Sequence, residues 1–525
     1  MWERLKVLSA SVAGGAAILA VASFASRLVG LVRDNLFAKY FGASEILDVY
    51  HAAFKVPDFI FNIIVLGALS ASFVPVLIER RTQGGEAEAN RLASAVMNVV
   101  GVGVVVFALV AVWLADPLAH WLMIERSPQQ QADTAHLMRI MLVSVVCFGV
   151  SNVFAGMLQA SRRWLIFSLA PILYNVGIIV GIVWFYDWFG LAGLGYGVVL
   201  GALLHLVIQA VAVFTHGFRY QLVWSVPGVQ TILRLMPPRA IALGIAQLNI
   251  AIIAVLALRL PEGSLAIWTW ADNLQHVPIN MVGVSLALSA FPVFAQALAE
   301  QDTAKFRKVF SENFRRLLFL IIPVSVAILL LRAQLVRIIL GSFGSGAFDW
   351  DATVITAQVL GIFAVALFAQ ASIPLLARSF FAHHDTRTTL FVSVGSLVLN
   401  VVLAYGLMDY LGLYGLAFAF SISSLVNMLL LLLFLRIKFG DLDDATIIRS
   451  IWRIIIASIA LGLIIHGMKY FVANFVDMHT FIGIFIQTAA SVAAGGLVYL
   501  GIAYYFNFPE LQIVKQQLAK LRTYL

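Results

Sequence analysis

Six ionisable residues near the start of the chain have types and spacing that could do chemistry. Arg27, Arg33 and Asp34 lie in one apolar stretch, and Asp48, Lys55 and Asp58 lie in the next. Arginine presents planar, forked donors that match phosphate oxygens in pairs, and lysine adds a mobile point charge. Three cations in this pattern fit an anionic head group, phosphate most naturally. Arg27 and Asp34 are seven apart, about two helical turns, and so share a face, with Gly30 between them offering a bend. Pro57 invites a kink beside Lys55. The same residues allow a plainer interpretation, in which Arg33–Asp34 and Lys55–Asp58 are internally neutralised pairs that lock two helices together or reach to the interface.

Further along, Asp272, Asn273 and His276 form a second polar group. Asp272 and His276 are four apart and face the same way, which suits either a proton or cation site or an interhelical hydrogen bond. Asn152, Gln159, Asn175, Gln247, Asn249 and Asn400 read as hydrogen-bonding glue between helices, and Gly177/Gly181 and Gly193/Gly197/Gly201 as close helix contacts. His383-His384-Asp385 reads as a solvated loop rather than a metal site. The single cysteine, Cys147, excludes an intramolecular disulfide and multi-cysteine chemistry. No nucleophile triad, paired catalytic carboxylates or phosphate-cradling loop occurs, so no enzyme and no cofactor are expected.

The elements that hold these residues follow from composition. Of 525 residues, 62% are hydrophobic and 11% charged, which rules out a soluble enzyme. Apolar runs predict an all-α integral membrane protein with fourteen transmembrane helices, at 8–37, 46–78, 92–115, 136–160, 165–186, 191–214, 239–260, 264–296, 313–331, 353–377, 388–408, 412–435, 450–471 and 479–506. On that map 24 of the 34 lysines and arginines fall in alternate loops beginning with the N-terminus. Only Lys39, Arg126, Arg139, Arg259, Arg332, Arg337 and Lys469 occupy the opposite side or its edge. Both termini are thus expected to be cytoplasmic, and this orientation explains the net charge of +8 without nucleic acid. Arg27 then lies ~28 Å from a span start near Leu8, in the outer half of the bilayer with Lys55. A mid-membrane charge is costly unless it faces protein or water, so these residues are functional candidates. The N-terminal run could pass for a signal peptide, but removing it would spoil the charge alternation. Residues 508–525 read as an amphipathic cytoplasmic tail.

The chain also repeats itself. Pro57, the run from Ala68 to Val76, Asn175 and Gly190 are echoed at Pro278, Ala287 to Val293, Asn400 and Gly412, at offsets of 217 to 225 residues. Two six-helix lobes are expected, 1–220 and 221–440, followed by two additional helices at 441–507. Because six is even, the repeats are parallel, an arrangement that suggests a central cavity and alternating access.

Ser26-Arg27-Leu28-Val29-Gly30-Leu31-Val32-Arg33-Asp34, Phe41-Gly42-Ala43, Asp48, Phe54-Lys55-Val56-Pro57 and Gly67 to Pro75 together resemble the MurJ (MviN) lipid II flippases of bacteria, within the multidrug/oligosaccharidyl-lipid/polysaccharide exporter superfamily. The resemblance covers the whole chain. It implies a multi-pass protein of the bacterial inner membrane that carries the undecaprenyl-pyrophosphate-linked peptidoglycan precursor from the inner to the outer leaflet. It also implies that Arg27, Arg33 and Asp34 lie at the head-group site, that Asp48 and Lys55 support it, and that the last two helices form a groove for the polyprenyl tail.

The chain departs from the family pattern in two places. Phe61-Asn62 stands where the family has an arginine pair, with Leu66 in place of a glutamate, and Asn273 and His276 replace an arginine and a glutamate. Asn62, Asp272, Asn273 and His276 are the residues expected at those positions of the site. A sodium site proposed for some relatives needs a carboxylate in span seven or eleven, and neither 247–258 nor 390–403 has one. The driving force stays open between a coupling ion and the membrane potential, which supplies ~2.3 kcal/mol per charge per 100 mV. A monomer is expected, with the lipid-linked saccharide and the bilayer as its partners. The alternatives are an exporter of another lipid-linked glycan, a cation-coupled drug exporter and a non-transporting envelope-assembly scaffold.

Overall fold

In the computed structural model the described residues are 12–66, 73–341 and 346–511, with side chains from residue 21 onward except at 64–66, 235–243, 245 and 246. The described residues are helical with short connections, as the apolar runs require. The helices are α1 (Val12–Phe41), α2 (Glu45–Ile60), α3 (Phe73–Trp113), α4 (Ala115–Leu122), α5 (Pro128–Ala160), α6 (Trp164–Phe189), α7 (Leu191–Thr215), α8 (Val229–Leu258), α9 (Ser264–Ala299), α10 (Thr303–Leu340), α11 (Trp350–Ala382), α12 (Thr386–Leu411), α13 (Leu413–Phe439), α14 (Asp444–Ala473) and α15 (Phe481–Tyr505). The described parts of the expected spans lie on these helices, but the second, 46–78, runs over α2, the turn after it and the start of α3, and the count of fourteen is compatible with the helices without being fixed by them. Among the described residues, eleven helices are long and apolar enough to cross a membrane by length and composition. The expected amphipathic tail beyond Leu511, the first eleven residues and the motif segment 67–72 lie outside the described residues.

Local chemistry sets the helix ends. Ser127 and Gln130 form a reciprocal capping box with Pro128 in the first turn, and Asp302, Asp349, Asp385 and Thr480 cap α10, α11, α12 and α15. Gly85, at φ 75°, breaks α3 into two helical parts, a backbone conformation that favours glycine.

The chain divides into two compact units, Met1–Leu265 and Ala266–Leu525. Helix α8 belongs to the first unit by packing, whereas the repeat assigns it to the second half of the sequence.

In the first unit, α6 and α7 meet backbone to backbone. A Cβ at Gly177 would stand 2.2 Å from Gly201 Cα, and one at Gly197 would stand 2.5 Å from Gly181 Cα. The glycine spacing read from the sequence is therefore a close helix contact. In the second unit, Phe294, Phe306, Phe310, Phe314 and Phe439 pack as a buried aromatic column. Here the segment after α15 returns to the bundle, with Phe508 2% exposed and the buried Glu510 carboxylate accepting from Arg315 at 2.7 Å and Ser450 at 2.8 Å.

The same irregularity marks both halves. After Pro57, α2 widens into a π-helical segment, Phe61–Leu66, and after Pro278, α9 does the same over Ile279–Val284. Proline lacks an amide proton and its ring crowds the preceding turn, so the regular ladder cannot pass through it undisturbed. Side chains re-satisfy the released carbonyls: Asn62 Nδ2 donates to Asp58 O at 2.8 Å, and Ser285 Oγ donates to Asn280 O at 3.1 Å.

Candidate functional site

The first unit gathers its ionisable residues between α1, α2, α6 and α7. Arg33 extends from α1 and donates through Nε and Nη2 to Asp34 Oδ1, at 3.0 and 2.8 Å. Its Nη1 donates to Asn175 Oδ1 on α6 at 3.0 Å, and Asn175 Nδ2 in turn donates to Pro171 O at 3.0 Å. These contacts use three of the five N–H donors of the guanidinium, so its plane is fixed while two donors remain for a further acceptor. The neutralised pair and the anion site are thus compatible: Asp34 aims Arg33 without exhausting it. Gly30 leaves the approach clear, since a Cβ there would come no nearer than 4.0 Å to Asn175 Oδ1.

Lys55 and Asp58 lie within the field of this arginine. Arg33 and Lys55 both act electrostatically on Asp58 and on His51, and Arg33 acts also on Tyr50 and Tyr174. Lys55, Asp58 and Asn62 line a cavity of about 130 Å³ with Phe59, Gln247, Ile250 and Ala251. Asp58 also lines a second, more apolar cavity of about 200 Å³, whose wall includes Phe54, Phe61, Phe148, Tyr174 and His205. The rings form a continuous lining: Phe148 lies 5.3 Å from Phe61, 5.0 Å from Tyr174 and 5.2 Å from His205, centroid to centroid. His205 Nδ1 is held 2.7 Å from Ser151 Oγ. Lys55 lines the first cavity and Arg33 lines neither, so a phosphate facing both would meet cations on two helices beside the first cavity, with the aromatic lining on the far side of Asp58.

The other expected site residues are placed as follows. Arg27 is half-buried on α1, two turns before Arg33, and makes no ion pair among the described residues. Asp48 belongs to a different network at the start of α2. It is 1% exposed and accepts from Gly263 N at 2.8 Å, Leu265 N at 3.1 Å and Arg126 Nη2 at 3.3 Å. Arg126 also donates to the carbonyls of Leu258 and Leu260, at 2.8 Å each. This network ties the α8–α9 connection to α2. Gly263 is required there, because its φ is +82° and a Cβ would stand 2.3 Å from Ala43 O. Asp272 and His276 pair in the second unit, with Nδ1 3.3 Å from Oδ1, and Gln275 Nε2 donates to the same carboxylate at 2.9 Å. Asn273 is exposed beside them and has a partner of its own.

Three participants escaped the sequence-based site. Asn175, read as glue, orients Arg33; Gln247, likewise, lines the cavity; and Asp58, seen as one half of a pair, stands between two cavities. Only Asp58 carried a signal, its i,i+3 spacing from Lys55 across Pro57.

Apolar helices of membrane length around a partly desolvated, oriented arginine define a multi-pass membrane protein with a polar interior cluster. Comparison with known proteins gives the family. The description "Lipid II flippase MurJ" matches residues 37–486, and the chain belongs to that family. It is 25% identical over 522 residues to a probable lipid II flippase MurJ of Bdellovibrio bacteriovorus, covering 98% of this chain and 97% of that one. It is 27% identical over 434 residues to the lipid II flippase MurJ of Burkholderia cenocepacia, covering 80% and 83%. The fold is similar to a solved structure of lipid II flippase MurJ in an inward closed conformation, at a TM-score of 0.77 and 22% identity, covering 93% of this chain and 98% of that one. It is also similar to an inward-facing multidrug resistance MATE family transporter of the MOP superfamily, at 0.68 and 19%, covering 80% and 96%.

Proposed function

We propose that this protein moves lipid II, the undecaprenyl-pyrophosphate-linked peptidoglycan precursor, from the inner to the outer leaflet of the bacterial inner membrane by alternating access. The observation that carries this reading is the first-unit cluster in a member of the lipid II flippase family: Arg33 is oriented by Asp34 and Asn175, with Lys55 in the same field. The pyrophosphate is the group these cations suit, because forked N–H donors and an ammonium complement its oxygens. Arg27 supplies a third charge on the same helix. Asn62, with its amide already given to the α2 backbone, acts as lining and as a repair of the π-helical turn. Asp272, Asn273 and His276 serve as polar, weakly charged counterparts in the second unit, so head-group affinity rests on the first-unit cations.

Both termini lie in the cytoplasm on this account, since the loop charges favour that orientation. The protein works as a monomer without a cofactor, and the membrane potential acts on the anionic cargo. The test is reconstitution of the full chain in proteoliposomes loaded with a fluorescent lipid II on one leaflet. Wild-type protein is expected to equilibrate the lipid between leaflets, and Arg33→Ala to leave it where it began. Equal transfer by the two proteins overturns the site, and failure of the wild type with correctly inserted protein overturns the substrate.

A further inference from the structure

Three of the seven cations off the inner side, Arg332, Arg337 and Lys469, belong to the second unit, and two of them converge. Arg332 follows the apolar run of α10, eight residues and thus ~12 Å before the helix end at Leu340. Lys469 lies four residues, or ~6 Å, before the end of α14 at Ala473. Helices α10 and α14 pack together, and the two charges act on each other electrostatically. Neither has a carboxylate at ion-pair distance among the described residues. Like charges side by side at the end of an apolar span are costly until an anion joins them.

The setting is built for this pair. The stem of Arg332 crosses Gly361 of α11, where a Cβ would stand 2.8 Å from Cδ and 3.2 Å from Nε. Its Nη1 donates to Leu329 O of its own helix, which fixes the guanidinium near the helix surface. The Lys469 carbonyl accepts from Gln487 Nε2 of α15 at 2.6 Å, and Gln487 Oε1 accepts from Gln334 Nε2 at 3.1 Å. Both glutamines are more than nine-tenths buried, and Gln334 Oε1 has no donor among the described residues. The cluster therefore offers two cations and an unused acceptor within one junction of three helices. The exposed rings of Trp350 and Tyr470, under Arg337 and Lys469 respectively, set its level at the membrane interface, where aromatic side chains collect. Its surroundings are lipid-facing: Leu463, Tyr470 and Phe471 are all more than half exposed. An occupant reaches it from the bilayer.

We propose that Arg332 and Lys469 bind the phosphate of an anionic lipid head group, in the leaflet that the loop-charge asymmetry makes the outer one. Phosphatidylglycerol carries that phosphate with a net negative charge, whereas phosphatidylethanolamine is zwitterionic. The test is native mass spectrometry of the full chain in detergent, titrated with phosphatidylglycerol or phosphatidylethanolamine, with and without inorganic phosphate. Wild-type protein is expected to retain phosphatidylglycerol over phosphatidylethanolamine, undisturbed by millimolar phosphate. Arg332→Gln with Lys469→Gln should lower retention about thirtyfold, as loss of two surface cations implies. Gly361→Ala keeps both charges but displaces the Arg332 stem, and should lower retention by a smaller factor. That variant and the wild-type lipid selectivity decide the matter even where the double variant does not fold. Equal retention of the two lipids, or no change in Gly361→Ala and the folded double variant, overturns the site, and displacement by inorganic phosphate assigns it to a free anion instead of a lipid.

Discussion

Replacing Asp48 by alanine removes an acceptor that is 1% exposed and serves three donors: the amides of Gly263 and Leu265 and the guanidinium of Arg126. Each hydrogen bond to a charged group contributes about 1.5–3 kcal/mol, and breaking a buried pair from one side costs about 3–5 kcal/mol. Arg126 keeps the carbonyls of Leu258 and Leu260, so its charge is not wholly orphaned and the lower part of that range, about 3–4 kcal/mol, applies. At about 1.4 kcal/mol per factor of ten, opening of the 258–265 connection becomes on the order of a hundredfold or more easier. Hydrogen–deuterium exchange on the full chain in detergent reads this directly, since the Gly263 and Leu265 amides lose the carboxylate that accepts from them. Asp48→Asn, which keeps one acceptor oxygen, should show a smaller rise. Exchange of the 258–265 peptide in Asp48→Ala within threefold of wild type refutes the assignment of Asp48 to the fold, and returns it to the head-group site as a direct contact.

Gly197→Leu forces a side chain against the α6 backbone, 2.5 Å from Gly181 Cα, and should abolish accumulation of folded protein, read by monodispersity on size exclusion. Glu510→Ala takes the carboxylate from Arg315, which is 7% exposed and keeps the Ser311 hydroxyl at 3.3 Å, and should cost about 3–5 kcal/mol locally, releasing the segment after α15 to limited proteolysis while α1–α8 remain resistant. Burial pushes the Asp385 carboxyl up, but the Lys438 ammonium and the Thr388 amide and hydroxyl outweigh it and hold the group down to about 2. A lowered carboxyl contributes its stability above the ordinary value of 3.8 and loses it as pH falls through the lowered one, so the Asp385 contribution, read as the difference in exchange at the α11–α12 connection between wild type and Asp385→Asn, should be steady from pH 8 to 4 and shrink only toward pH 2.

What could be read in advance was what repeats or has a period. The spans are legible because each membrane crossing needs an unbroken apolar run. The α6–α7 contact is legible because glycines four apart face one way. The repeat marked by Pro57 and Pro278 recurs in the structure as two π-helical segments, but their widening was not legible, since proline equally permits a simple kink. Arg33 and Lys55 stood out because charge is expensive in an apolar run. Their setting did not, because it depends on pairings across the fold: Asn175 lies 142 positions from Arg33, and Arg126 lies 78 from Asp48. An asparagine in a membrane helix looks the same whether it joins two helices or aims an arginine. Asp48 was grouped with the cations by proximity in sequence, whereas two of its partners are amides at and just before the start of α9, more than 200 positions away.

The central claim, that Arg33, oriented by Asp34 and Asn175, carries a lipid-linked pyrophosphate together with Lys55, is tested most directly in a bacterium depleted of its own flippase. The measurement is outer-leaflet exposure of lipid II on expressing the wild type, Arg33→Ala or Asn175→Leu, at matched levels of inserted protein. Exposure should return with the wild type, fall partway with Asn175→Leu and vanish with Arg33→Ala. Full exposure in Arg33→Ala, or none with the inserted wild type, contradicts it.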